Sequence, residues 1–247
     1  MTATTNEYGQ PIGDSLPDWQ PPAWPNGDTL EGRLCRVEAL IPERHASSLW
    51  QAWSVADPAV PADADGKARW IYLGGRAFDD QAGCERWLEA MTADESLVCY
   101  AIIDAASGDA VGMATYLRIV PVDGAIEIGH LSFSARMART PISSEALMLM
   151  MTNAFALGYR RLEWKCDALN GPSRRAAERL GFQFEGIFRQ HRVVQGRNRD
   201  TAWFSILDSE WPMIRDCHRR WLATENFDAD GRQHQSLSTM TAFVRGR

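Results

Sequence analysis

Hydrophobic and polar positions change period repeatedly along this chain, and each change marks an element. Arg33–Leu40 reads as a first strand, and Pro42 opens a helix that runs through Ala52 and Trp53. Residues 57–66, rich in Asp, Pro and Ala, form a loop. Phe78–Met91 places Trp87, Leu88 and Met91 at helical spacing and predicts a second helix. Leu97–Asp104, Ala110–Val120 and Ala125–Phe133 are three strands, turned at residues 106–109 and at Asp123-Gly124, which makes an antiparallel meander. The period then shifts to three and four. Leu147, Met150, Met151, Ala154 and Phe155 share one helix face, and Gly158 stops that helix. Arg161–Cys166 is the next strand, so a β-α-β crossover is complete and a parallel pair is expected. Pro172–Leu180, closed by Gly181, is a short helix. Phe182–Val194 and Arg199–Leu207 are long strands joined by a Gln-Gly-Arg-Asn turn, and Trp211–Ala223 is a last helix before a polar tail. The order predicts an α+β fold, a mixed sheet with helices on its faces.

The ends of the chain are less regular. Residues 1–30 are rich in Pro, Gly and Asp and read as an extended arm; Trp19 and Trp24 suit packing on the body, and simple disorder is the alternative. The tail after Ala223 has two open roles, packing back on the domain or mediating a homodimer. The boundaries are then an arm at 1–30, a main domain at 31–210 and a helix with tail at 211–247.

Composition excludes several function classes. A net charge of −6 disfavours non-specific nucleic-acid binding and suits a cationic partner only weakly. The N-terminus has neither a basic nor an apolar leader region, and no apolar run approaches the roughly 20 residues of a membrane span, so a soluble cytoplasmic protein without a membrane partner is expected. Cys35, Cys84, Cys99, Cys166 and Cys217 are widely spaced and odd in number, with no CxxC and no His-x3-His. Reduced, buried thiols are expected, and neither a disulfide framework nor a metal site.

Four segments of the second half carry recognisable chemistry: EIGHLSFS from Glu127, ARTPISSEA from Ala138, the long run from Tyr159 to Gln190 that contains Asn170-Gly171-Pro172-Ser173 and Gly181-Phe182, and GRNRDTAWFSILDSEW from Gly196. Together with the element order from Arg33 onward, they resemble the GNAT acetyltransferases, within them the RimJ/RimL-like group of ribosomal-protein alanine acetyltransferases. The likeness covers about 175 residues, and its N-x-x-S-x7-G-F block combines a strand end, a helix and a strand start at fixed spacing. It implies a GNAT fold, a central, mixed, mostly antiparallel twisted sheet flanked by helices. It also implies an N-acetyltransferase that uses acetyl-CoA as cosubstrate, without a metal, on a primary amine: a protein N-terminus or a small molecule. A GNAT-fold module that binds CoA, or only a partner, without catalysis is the alternative.

The resemblance also implies site residues. A loop entering a helix N-terminus supplies free N–H groups and partial positive charge to the CoA pyrophosphate. The family loop usually reads Q/R-x-x-G-x-G/A; here it reads Ala138-Arg139-Thr140-Pro141-Ile142-Ser143, so Ala138, Pro141 and Ser143 depart from the pattern. Proline is well tolerated at the first helical position but removes one donor. Arg139, Thr140, Ile142, Ser143 and Ser144 remain candidates for the phosphates, with Arg174 and its neighbour Arg175 on the next helix; a solvated surface or ion pairs with Glu178 and Glu185 compete for these last two. The strand around His130, Leu131 and Phe133 is expected to bind the pantetheine arm. Many family members carry an acidic tyrosine seven residues after the block's asparagine, where this chain has Ala177. The acid role therefore goes to Ser173, and Asn170 takes CoA or helix-start contacts, while a purely local role for the Ser173 hydroxyl stays open. Glu127, between Ile126 and Ile128, is a candidate general base against a structural ion pair, and His130 is another. The acceptor site of this fold lies between the first two helices and the last hairpin. Trp50, Trp53, Trp70, Tyr72 and Trp87 near it read as core or as pocket wall.

Overall fold

A computed structural model describes residues 4–243. An eight-stranded sheet runs in the order β3-β4-β5-β6-β7-β8-β10-β9. Its strands are β3 (Leu30–Glu31), β4 (Cys35–Ala39), β5 (Val98–Asp104), β6 (Ala110–Val120), β7 (Ala125–Phe133), β8 (Arg161–Asp167), β9 (Gln183–Val194) and β10 (Arg197–Leu207). Every neighbouring pair is antiparallel except β7 with β8. This is the α+β architecture that the period changes imply, with the parallel pair made by the crossover helix α3 (Pro141–Ala156). Ahead of the sheet, β1 (Thr4–Thr5) and β2 (Pro11–Ile12) pair with each other.

Helices cover both faces of the sheet. On one face α3 packs with α5 (Trp211–Leu222) over Tyr100, Ile102, Tyr116, Ile126, Leu162 and Phe204. On the other, α1 (Pro42–Trp53) and α2 (Gln81–Thr92) cover only β4–β6, through Leu49, Trp53, Trp70, Phe78 and Leu88. Trp53 and Trp70 meet edge to face at 5.1 Å, and Trp53 Nε1 donates to the Ser132 carbonyl at 2.8 Å. Trp50, Trp53, Trp70 and Trp87 are therefore core packing, with the indole polar edge of Trp53 satisfied by the sheet.

Several boundaries differ from expectation for local reasons. The first strand is shorter than Arg33–Leu40. The chain turns there because the buried Glu145 carboxylate of α3 accepts the N–H groups of Arg33, Leu34 and Cys35 at 3.2, 2.6 and 2.9 Å. The second helix starts at Gln81 and not at Phe78, because Asp80 caps it by accepting the Gly83 N–H at 2.7 Å. Lys67–Leu73 forms a 3-10 stretch that apolar periodicity does not reveal. The last hairpin turns tightly, pairing Val194 with Arg197, because Gln195 and Gly196 both take positive φ. Gly181 ends α4 (Gly171–Leu180) at φ +100°, and a Cβ there would meet Ile214 at 2.9 Å.

The ends dock on the body. Tyr159 donates to the Ala23 carbonyl at 3.2 Å, Trp19 donates to Val122 at 3.3 Å under the Arg160 guanidinium, and Pro22 and Pro25 are buried. After α5 the chain bridges Phe227 to Gln233 and forms α6 (Leu237–Met240), where the following Thr241 donates to the Arg179 carbonyl at 3.1 Å. All five cysteines are buried and free. No helix among the described residues is long and apolar enough to cross a membrane.

Candidate active site

The site originates in a fault in the sheet. β7 and β8 pair only at Ala125–Arg161, Ile126–Leu162 and Glu127–Glu163, and past these residues the two strands part. A bulge helps to turn β7 away: His130 and Leu131 stand against Ala114 alone, and His130 takes φ +47°. The opening is a cleft of about 1550 Å³, bounded by β7, β8, the α3 and α4 N-termini, the 3-10 stretch and the β9–β10 hairpin. Glu127, His130, Leu131, Phe133, Arg139, Thr140, Ser143, Ser144, Asn170 and Ser173 all line it. Ile142 and Arg174 do not.

Strand alternation separates the two sides of this cleft. Leu162, Trp164 and Cys166 face α3, so Glu163, Lys165 and Asp167 face away from it. On the α3 side, Thr140 precedes the helix without making a side-chain cap, and Pro141 occupies its first position. The N–H groups of Ile142 and Ser143 have no acceptor in the intrahelical ladder, and Ser143 and Ser144 line the cleft. The Ile142 side chain packs into the core, so only its backbone can serve a ligand. Ser143 Oγ donates back to the Thr140 carbonyl at 2.9 Å, and Ser144 Oγ accepts from Arg179 at 2.9 Å. Burial lowers the Arg179 pKa, and no carboxylate lies within ion-pair distance of it among the described residues.

Of the two α4 arginines read from the sequence, Arg175 lines the cleft and Arg174 does not, which corrects the expectation for Arg174. Arg174 turns outward, over the Phe184 ring at 5.5 Å and onto the Ala168 carbonyl at 3.3 Å. Pro172, Arg175, Ala176 and Arg179 share the cleft-facing stripe instead, at helical spacing. That stripe is legible in the sequence once the helix start is fixed at Gly171. Glu185, a suggested partner for these arginines, is engaged by Arg161 at 2.6 Å. Arg139, at φ +63°, is ion-paired to Asp57 of the 57–66 loop at 2.9 Å.

At the centre, Asn170 Oδ1 accepts the Ser173 N–H at 3.1 Å and caps α4. Ser173 Oγ accepts from Trp164 Nε1 at 3.0 Å. Indole nitrogen can only donate, so this bond leaves the serine proton to be given elsewhere. Cys166 lies beside them; burial raises its thiol pKa, and a hydrogen bond from Ser173 opposes that rise.

On the side away from α3, Glu127 is buried between two cations: Oε2 accepts from Arg118 at 2.8 Å and from Lys165 at 3.0 Å. Lys165 also reaches Glu163 at 2.7 Å and sits 3.8 Å above the Trp203 ring. Neither partner of Glu127 was singled out in the sequence; Lys165 was legible only as the residue two after Glu163 on an alternating strand. His130 Nδ1 is buried without a hydrogen-bond partner among the described residues, and burial, then Arg118, lowers its pKa and favours neutral imidazole. Among the described residues no group of three His, Cys, Asp or Glu could hold a metal ion.

The GNAT acetyltransferase domain matches residues 43–183. The chain belongs to the GNAT acetyltransferase family. A GCN5-related N-acetyltransferase from Brucella melitensis has the same structure with a TM-score of 0.86 and 44% identity, over 92% of this chain and all of that one. The uncharacterised N-acetyltransferase p20 of Bacillus licheniformis is 28% identical over 45% of this GNAT chain, and the match spans 63% of the length of p20. The fold extends to RimL, a ribosomal α-N-protein acetyltransferase solved with coenzyme A, at a TM-score of 0.56 and 19% identity, over 73% of this chain and 98% of that one.

Proposed function

We propose that this GNAT chain moves an acetyl group from acetyl-CoA to a primary amine by direct attack in a ternary complex. The observation that carries the reading is the parting of β7 from β8 directly beside the uncapped N-terminus of α3. The chemistry of the lip fits a polyphosphate: the N–H groups of Ile142 and Ser143, with Arg175 and Arg179, supply donors and positive charge with no carboxylate paired to either arginine among the described residues. Acetyl-CoA supplies the activated acyl group. The β7 backbone at Gly129–Leu131 polarises the carbonyl, where charge develops in the transition state. Ser173, held by Trp164 and beside the Cys166 thiol, gives its hydroxyl proton to the departing thiolate and regains one from solvent.

The acceptor amine enters from the side away from α3. An α-amino group has a pKa near 8, so a weak acceptor suffices to deprotonate it. Glu127 and His130 both face that side, and they differ in freedom: Oε2 of Glu127 is shared by two cations, whereas His130 Nδ1 is unengaged among the described residues. A protein N-terminus and a small-molecule amine both fit this chemistry.

A CoA-binding module without catalysis is favoured by two observations, the replacement of loop glycine by Pro141 and the engagement of Arg139 by Asp57. Thermal shift with acetyl-CoA, followed by thiol release across amines and peptides, separates the two readings. Stabilisation with turnover is expected. Stabilisation without turnover on any acceptor supports the module, and no stabilisation at saturating acetyl-CoA removes both. Ser173→Ala is expected to lower kcat by about 100-fold with acetyl-CoA affinity unchanged; equal kcat takes Ser173 out of the mechanism.

A further inference from the structure

The last hairpin carries information about the acceptor, conditional on the acetyl-transfer reading. In a chain of net charge −6, Arg192 and Arg199 stand directly opposite each other in the β9–β10 ladder, and both line the cleft. Like charges in that position repel. No carboxylate lies within ion-pair distance of either among the described residues, and Arg199 Nε is buried without a hydrogen-bond partner.

The acids around them are engaged. Asp167, on β8 opposite Thr201, accepts the Leu169 N–H at 2.8 Å. Asp200 accepts the Gln190 N–H at 2.7 Å and the Asn198 amide at 3.0 Å. Glu127 is held by Arg118 and Lys165. His191, next to Arg192, has its Nδ1 2.9 Å from Thr201 Oγ1.

The hairpin that carries the two arginines also closes on the 3-10 stretch, through Gln195 and Gly74. Ala202 opposes Cys166, which faces α3, so Thr201 faces the other way, and the β9–β10 ladder shifts register between Thr201 and Arg199. The phosphate donors at the α3 N-terminus are on the opposite side of the sheet. Tyr72 donates to the Leu169 carbonyl at 3.2 Å and Gln195 to the Gly74 carbonyl at 2.5 Å, which ties the 3-10 stretch across this end of the cleft.

We propose that the acceptor of this enzyme is a carboxylate-bearing amine, its carboxylate held by Arg199 together with Arg192. The guanidinium fork matches a carboxylate with two parallel hydrogen bonds, and a bound anion relieves the repulsion across the ladder. The same chemistry is offered by a free amino acid and by the N-terminus of an acidic peptide.

The test is kcat/KM, from thiol release, for amino acids against their amides and for peptides of one first residue with Asp or Asn at the second and third positions. Rates are referred to the free-amine fraction, and acetyl-CoA affinity is measured alongside. The wild type is expected to prefer the carboxylate member of at least one set by about tenfold, since hydrogen bonds to charged groups are among the strong ones. The amino-acid set identifies a small-molecule acceptor and the peptide set a protein N-terminus. Arg199→Gln should bring that ratio to within about twofold with acetyl-CoA affinity unchanged, and Arg199→Lys, which keeps charge but loses the fork, should fall between. A preference for neutral acceptors in the wild type, or an unchanged ratio in Arg199→Gln, overturns the inference. Should Arg199→Gln not fold, Arg192→Gln is read by the same ratio. Failure to bind acetyl-CoA at all overturns the transferase reading and this inference with it.

Discussion

The two sides of the split sheet satisfy their buried polar groups in different ways. Towards α3 and α5 the backbone does most of the work. Glu145 accepts three N–H groups, His218 bonds to the Leu180 carbonyl at 2.9 Å, and Asn170 caps α4. On the other side the charges satisfy one another, from Arg118 through Glu127, Lys165, Glu163 and Arg161 to Glu185 across β6, β7, β8 and β9. Backbone partners are fixed by the fold, so on the function proposed above the α3 side offers the constant donors that a constant cosubstrate needs. Side-chain ladders change with single substitutions, so on the same proposal the opposite side is where the acceptor can vary.

Lys165→Met breaks the comparison most severely. Glu127 and Glu163 oppose each other in the β7–β8 register, and Lys165 bridges them while itself only 8% exposed. Removing it leaves two facing carboxylates in a buried setting, and denaturant unfolding is expected to show a loss of about 3 kcal/mol. A loss below about 1 kcal/mol would mean that the ladder is ornamental.

Acid separates the two sides next. Burial lowers the His218 pKa to about 4 from 6.5. Between those values the unfolded chain binds a proton that the folded one does not, so stability falls as pH drops from about 6.5 to about 4, by on the order of 3 kcal/mol. His218→Gln should flatten that window. The ladder responds lower down. Burial raises the Glu163 pKa, but the bonds from Lys165 and Arg161 outweigh it, and Arg161 chiefly lowers that of Glu185. Both contributions are present above the ordinary glutamate range and are lost as pH falls below it. A wild-type pH profile flat between 6.5 and 4.5 would contradict the division.

The smallest effect sits where the two sides touch. Asp57 of the loop after α1 holds Arg139 beside the α3 N-terminus, and Asp57→Asn should free that guanidinium. Acetyl-CoA binding is expected to tighten about threefold, in line with a partly exposed ion pair; weaker binding would show that Asp57 orients Arg139 productively.

Much of this was readable from the sequence, and the exceptions have physical causes. Alternation and turn residues delimit β5, β6 and β7, and the switch to the period of α3 gives the crossover and its parallel pair. The distance over which β7 and β8 stay together is a matter of tertiary packing and leaves no periodic trace. The bulge at His130 depends on a backbone conformation, φ +47°, that an L residue adopts without a glycine to signal it. On α4, the sequence offers Arg174 and Arg175 alike, and the helical stripe from Pro172 selects Arg175 together with Arg179. Glu127 stands out as a carboxylate amid a buried strand, but its bonds to Arg118 and Lys165 join three strands and are visible only in the fold.

Amide hydrogen exchange with and without saturating acetyl-CoA tests the central claim most directly, because it reads the split sheet and the helix N-terminus residue by residue. Slowed exchange at Ile142 and Ser143 and at Gly129–Leu131, with β4 and β5 unchanged, is the expected pattern. Exchange unaltered at both places while acetyl-CoA is bound would contradict the placement of the cosubstrate between β7 and β8.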